Sequence, residues 1–328
     1  MFTEAIEAIL VDQCTPAAIR AIENGGPPTA LWNALAESGF LELMGSEQAG
    51  GAGLDLEAVF PIFVAFGRHA VPVPAAQSIA ARALLGDVAA PHGMLTLVGH
   101  ARRAADGSVS AGNVPSGAIA DHALANVDGQ LVLLDCARAE RTHDGICGSL
   151  AASLRWPADA IGTPVGDHGA QVAVFSAALH AAAMAGAMER MFSMTLAYCN
   201  DRAQFGKAIG RFQAVQHQLS VMAEHVACAG VAAELAFQPG EHVPALLAAA
   251  TAKARTSASV PLVAATAHAL HGAIGVTEEF DLQLYSRRLH AWRMADGSET
   301  YWNRIVGETL LGGTASSVLQ FVMQEIVA

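Results

Sequence analysis

Two segments of the 328-residue chain bring together residue types that could do chemistry. The first is Asp201-Arg202-Ala203-Gln204-Phe205-Gly206-Lys207-Ala208-Ile209-Gly210-Arg211-Phe212-Gln213-Ala214-Val215-Gln216-His217. It reads as a helix end that opens into a loop and then starts a new helix. An arginine and free backbone N–H groups at such a break suit a phosphate, and an exposed phenylalanine suits stacking on a ring. Composition alone favours a plainer reading, a helix hairpin whose arginine pairs with a nearby carboxylate. The second is Leu270-His271-Gly272-Ala273-Ile274-Gly275-Val276-Thr277, followed by Arg287-Arg288 and by Ala295-Asp296-Gly297-Ser298-Glu299-Thr300. Asp296 reads as a cap for the following helix, with Glu299 as its capping-box partner. His268 and His271, three apart, read as packed or capping histidines, and no metal site is expected.

Helices must position both segments. Residues 1–91 carry helical spacing at Glu4–Asp12, Ala30–Leu43, Leu56–Gly67 and Ala75–Leu85, with a glycine-rich loop at Gly45–Gly53. Residues 92–175 change character. Short runs at Met94–Val98, Leu131–Leu134 and Gln171–Val174, parted by Asp106-Gly107 and Asp128-Gly129, predict a small, truncated β domain. Residues 176–328 are helical again, as Ser176–Asn200, Phe212–Phe237, Val243–His271, Glu278–Trp292 and Tyr301–Leu311, with Pro261 expected to kink or divide the third. The fold class is mainly α with a small central β domain between an N-terminal helical domain and a C-terminal, four-helix-bundle-like one.

Hydrophobic residues make up 53% and charged residues 15%, with a mean hydropathy of +0.36. Such a chain buries a core and is not disordered. The longest apolar runs, such as Ala177–Met188 and Ala258–Leu270, are about a dozen residues where a span needs ~20, so no membrane is expected. A net charge of −12 offers nothing to nucleic acid. Five scattered cysteines without a CxxC pair, and a start without a basic leader, fit a cytoplasmic protein.

The pattern Arg202-x-Gln204-Phe205-Gly206-x-x-Ile209-x-x-Phe212-Gln213-x-x-Gln216-His217 resembles the signature that opens the C-terminal domain of acyl-CoA dehydrogenases. Leu270-His271-Gly272-x-x-Gly275-x-Thr277 is similar to that family's second signature. Glu37-Ser38-Gly39-Phe40, Gly50-Gly51-Ala52-Gly53-Leu54 and Gly67-Arg68-x-x-x-Pro72 resemble its N-terminal domain. The resemblance implies α,β-dehydrogenation of an acyl-CoA thioester to the trans-2-enoyl-CoA, with FAD as cofactor. It implies that Arg202 and Gln213 bond the FAD diphosphate of a neighbouring subunit, that Phe205 with Gly206 packs on the adenine side, and that the backbone of Leu270, His271 and Gly272 completes the clamp. An electron-transfer flavoprotein or similar acceptor is implied as well.

The departures are specific. Residues 92–175 hold nothing like the family's Thr-Glu-Pro, Gly-Ser-Asp or Trp-Ile-Thr-Asn segments. Asp296, one methylene shorter, stands at the family's catalytic glutamate position, and its alternative base site aligns near Ala177. Ala269 replaces a usual glutamine and Ala273 a common glycine. The chain thus keeps what donates to a neighbour's FAD and lacks what holds its own. It is similar to the shorter subunits of bacterial heteromeric α2β2 acyl-CoA dehydrogenases of steroid side-chain degradation. A self-sufficient dehydrogenase using Asp296, and a flavin-free structural or acyl-CoA-binding relative, stay open.

Overall fold

The computed structural model describes residues 2–160 and 162–326. Five helices come first: α1 (Phe2–Gln13), α2 (Pro16–Glu23), α3 (Thr29–Glu37), α4 (Leu56–Arg68) and α5 (Ala75–Leu85). Helix α2 is absent from the sequence reading, yet its start signal is local. Thr15 caps it by accepting from Ala18 N, and Pro16 occupies the first turn. The helix expected over Ala30–Leu43 is broken. Helix α3 stops at Glu37, Gly39 takes φ +79°, and a 3₁₀ turn follows at Phe40–Glu42.

Seven strands then form one sheet: β1 (Leu95–Arg103), β2 (Val109–Val114), β3 (His122–Val127), β4 (Gln130–Asp135), β5 (Glu140–His143), β6 (Ala152–Trp156) and β7 (Thr163–Gly166). Their order is β5-β6-β2-β1-β3-β4-β7. Only the β1–β3 pair is parallel among these described pairings. The β3–β4 hairpin closes at Asp128-Gly129, both at positive φ as its two-residue turn requires. Trp156 is buried in the sheet's core and donates its indole N–H to Asp135 O. Helix α5 packs on β1, where the buried Ser78 hydroxyl bonds both N and O of Leu95.

The run Gln171–Val174, expected as a strand, is instead the first turn of α6 (Ala170–Asp201). Its neighbours His168 and Gly169 supply the carbonyls for that turn, and alanine-rich sequence then carries the helix onward. A two-residue ladder, β8 (Ala203–Gln204) with β9 (Lys207–Ala208), leads to α7 (Gln213–Glu234). Helices α8 (Leu246–His271), α9 (Leu282–Met294), α10 (Glu299–Gly312) and α11 (Val318–Phe321) follow. Pro261 does not divide α8. Among the described residues, two helices are long and apolar enough to cross a membrane by length and composition, more than the apolar runs suggested: α6, whose window is 89% buried in this fold, and Leu246–Val276.

The chain divides into two compact units. One holds Met1–Ile62, Val71–Leu179 and Phe237–Ala245, so the sheet shares it with α1, α2, α3 and α5; the other holds Phe63–Ala70, with the second half of α4, His180–Ala236 and Leu246–Ala328. In the second unit α8 packs against α7, α9 and α10. Its buried face is Ala248, Ala249, Ala252, Thr256 and Val260, small side chains that let helices approach closely.

Candidate functional site

The end of α6 sets up the first segment. Arg202 N still reaches Tyr198 O at 2.8 Å, and Arg202 O accepts from Ile209 N at 2.8 Å, which closes the loop between them. Phe205 and Gly206 form the hairpin tip with φ of +50° and +81°. That conformation suits Gly206 and costs Phe205, so the loop pays for turning a large aromatic outward. Phe205 is 91% exposed, edge-on to Phe212, and the Lys207 ammonium lies 4.3 Å from the Phe212 ring centre.

Arg202 is exposed, and among the described residues its guanidinium pairs with no carboxylate. The helix-hairpin ion pair is therefore not what this loop holds. Gln213 is the exposed first residue of α7. The first turn of α7 has no acidic side chain, and its cap, Phe212, offers no side-chain acceptor. Open N–H groups, a 22-residue helix, an unpaired arginine and an exposed ring fit the diphosphate and adenine of a dinucleotide.

The second segment backs onto the first through Tyr198. His271 is buried, stacked on Tyr198 with ring centres 4.5 Å apart and 4.9 Å from Phe280, and its Nδ1 bonds Ala267 O at 2.8 Å. Burial pushes its pKa below the usual histidine range. Its ring thus serves the interior. Gly272, exposed at φ +65°, ends α8 in the left-handed conformation that most side chains resist.

Asp296 lies on the link between α9 and α10 at φ +52°. Its carbonyl accepts from Trp302 Nε1 at 2.9 Å. The carboxylate is almost buried, with Oδ2 3.4 Å from Nδ1 of the buried His180. The capping roles expected here are not the ones found. Ser298 is the N-cap of α10 and makes no side-chain cap bond, while Glu299 is the first helical residue and pairs with Arg293 through two contacts. That hydrogen bond holds the Glu299 carboxyl below its ordinary range.

Two residues of this region escape sequence reading. His180 sits three positions beyond Ala177 in an apolar run, and Lys253 lies with Arg255 in an alanine-rich stretch, buried where Arg255 is not. With Arg255 two residues on, nothing in the sequence marks Lys253 as the one that is buried.

Comparison with known proteins decides the family. The profile described as acyl-CoA dehydrogenase, N-terminal domain, matches residues 1–89, and the profile for the C-terminal domain matches residues 172–311. Acyl-CoA dehydrogenase IpdE2 of Mycobacterium tuberculosis is 31% identical over 295 residues, covering 88% of this chain and 90% of that one. The chain belongs to the acyl-CoA dehydrogenase family. As a member of these oxidoreductases it shares its fold with a chain of the ChsE4-ChsE5 complex from Mycobacterium tuberculosis, at TM-score 0.83 and 23% identity over 95% of this chain and 97% of the other. A chain of the Tcur3481-Tcur3483 steroid ACAD, in a variant form, matches at TM-score 0.78 and 27% identity, covering 96% and 98%. In this family member Leu270–Thr277 and Asp296 lie within the same helical unit as the 202–213 loop.

Proposed function

We propose that the chain is the auxiliary subunit of a heteromeric, FAD-dependent acyl-CoA dehydrogenase. It lends Arg202, Phe205, Gln213 and the 270–272 backbone to a flavin held by an unlike neighbour, in an α2β2 assembly in the cytoplasm. Bound FAD would supply the hydride acceptor for the acyl β-carbon. This chain's residues bind and orient: Arg202 and the α7 N-terminus neutralise diphosphate charge, and Phe205 covers the adenine. A carboxylate of the neighbour would take the α-proton, and an electron-transfer flavoprotein or similar acceptor would take the electrons onward.

One observation carries this reading: the loop is built and outward-facing, with Phe205 91% exposed and Arg202 without a carboxylate among the described residues, while Asp296 is turned inward to His180. The two-component ChsE4-ChsE5 and Tcur3481-Tcur3483 proteins support an unlike partner, and the latter, a steroid ACAD, supports a steroid-derived acyl group. Exposed apolar residues Leu311, Val318, Leu319 and Met323 near the C-terminus support a subunit interface. The test is Arg202→Ala in the co-expressed complex. Flavin affinity should fall roughly tenfold to a hundredfold, since a charge-assisted bond is lost. Unchanged flavin content and affinity contradict the proposed role of the loop.

A further inference from the structure

Lys253 lies in α8 with none of its surface exposed. A lysine ammonium has three protons, and here each finds an acceptor: Ser257 Oγ at 3.3 Å, Arg293 O at 3.0 Å and Gly297 O at 2.9 Å. Two of these acceptors are main-chain carbonyls that bracket Asp296, so one side chain ties down the segment carrying it. That segment needs tying. Asp296 and Gly297 sit at φ +52° and +100°, and the first of these is costly for a residue with a Cβ.

The charged groups acting on Lys253 are Asp296 and Glu299, which favour its cationic form, and Arg293, which opposes it. Asp296 acts more strongly than Glu299, which is itself engaged by Arg293. Asp296 Oδ2 in turn lies 3.4 Å from His180 Nδ1 on α6. Positive charge beside a carboxylate favours its ionised form, which suits an anchor.

We propose that Lys253 is a positioning residue for Asp296, and that with His180 the two form a buried latch that fixes the α9–α10 link and holds a structural anion at the family's base position. The latch rests on the functional reading above, in which another chain supplies the base. It gives that position a use other than proton abstraction, and it gives the buried lysine of an alanine-rich helix a role.

The test is denaturant unfolding of the assembled complex between pH 7 and pH 10, for wild type, Asp296→Asn, Lys253→Met and the double variant. Burial pulls the Lys253 amine from 10.5 down to about 8. Between those values the folded protein binds fewer protons than the unfolded chain, so stability rises with pH across that window. Wild type should show the rise. Asp296→Asn should move its onset to lower pH, because the anion supporting the ammonium is gone, and Lys253→Met should abolish it. The double variant should lose at least fivefold less in the unfolding equilibrium constant than the product of the single losses. Where Lys253→Met does not assemble, the onset in Asp296→Asn decides alone. Additive losses with an unmoved onset and normal turnover overturn the latch and leave the functional reading standing. A thousandfold loss of turnover in Asp296→Asn, with flavin content unchanged, overturns the functional reading and the structural role of the carboxylate together.

Discussion

Phe205 stands edge-on to Phe212 with ring centres 6.3 Å apart, and that contact leaves nearly all of its ring in solvent. A side chain so placed contributes little to folding, and its positive φ is a cost. Phe205→Ala should therefore leave the unfolding midpoint unchanged or slightly raised while weakening flavin retention in the complex. Calorimetry and bound-flavin absorbance on the same preparation check this. A large loss of stability would assign the ring a packing role instead.

Gly67 on α4 and Ala183 on α6 approach so closely that a Cβ on Gly67 would lie 2.0 Å from Ala183 O. Gly186 meets Val64 O in the same way. Gly67→Ala should destabilise by about 1–3 kcal/mol or more, because the helices must separate to admit one carbon. A thermal midpoint within a degree of wild type would contradict the close crossing.

Glu299 is held by Arg293, and that bond lowers its pKa from the ordinary 4.5. The folded state then binds fewer protons than the unfolded chain near that pH. Its contribution is fully present above about 4.5 and is lost as pH falls through the lower folded value. Glu299→Gln should cost about 1.5–3 kcal/mol at pH 7 and progressively less toward pH 3, since both side chains are partly buried. Equal losses at both pH values would contradict the pairing.

Burial pushes the Cys136 thiol up to about 12, whereas Cys147 is exposed. At pH 8 an alkylating reagent should label Cys147 and leave Cys136 intact until the protein is unfolded. Peptide mass analysis reads the two sites separately.

Local signals made much of this fold legible. Helix α5 runs over the residues its spacing indicates, and the Asp128-Gly129 turn closes a hairpin as that dipeptide predicts. The misses have physical causes. Gly39 ends α3 because the chain needs a left-handed residue there, although apolar spacing continues to Leu43. Residues 171–174 look strand-like in isolation and are helical because the alanine-rich run behind them extends the helix. At the site, Arg202, Phe205 and Gln213 could be singled out because they share one short segment that resembles a family signature. His180 and Lys253 were not, because 116 residues separate His180 from Asp296 in sequence (296 − 180) and only tertiary packing makes them neighbours.

That this chain lends its loop to a flavin held by an unlike subunit is tested most directly by counting flavin. The chain is purified alone and again with a co-expressed acyl-CoA dehydrogenase subunit, and bound FAD per polypeptide is measured by absorbance beside the mass from light scattering. The expected result is a colourless protein alone and, with the partner, an α2β2 complex whose flavin content falls when Arg202 becomes alanine. One tightly bound FAD per chain and acyl-CoA dehydrogenation by the chain alone would contradict it.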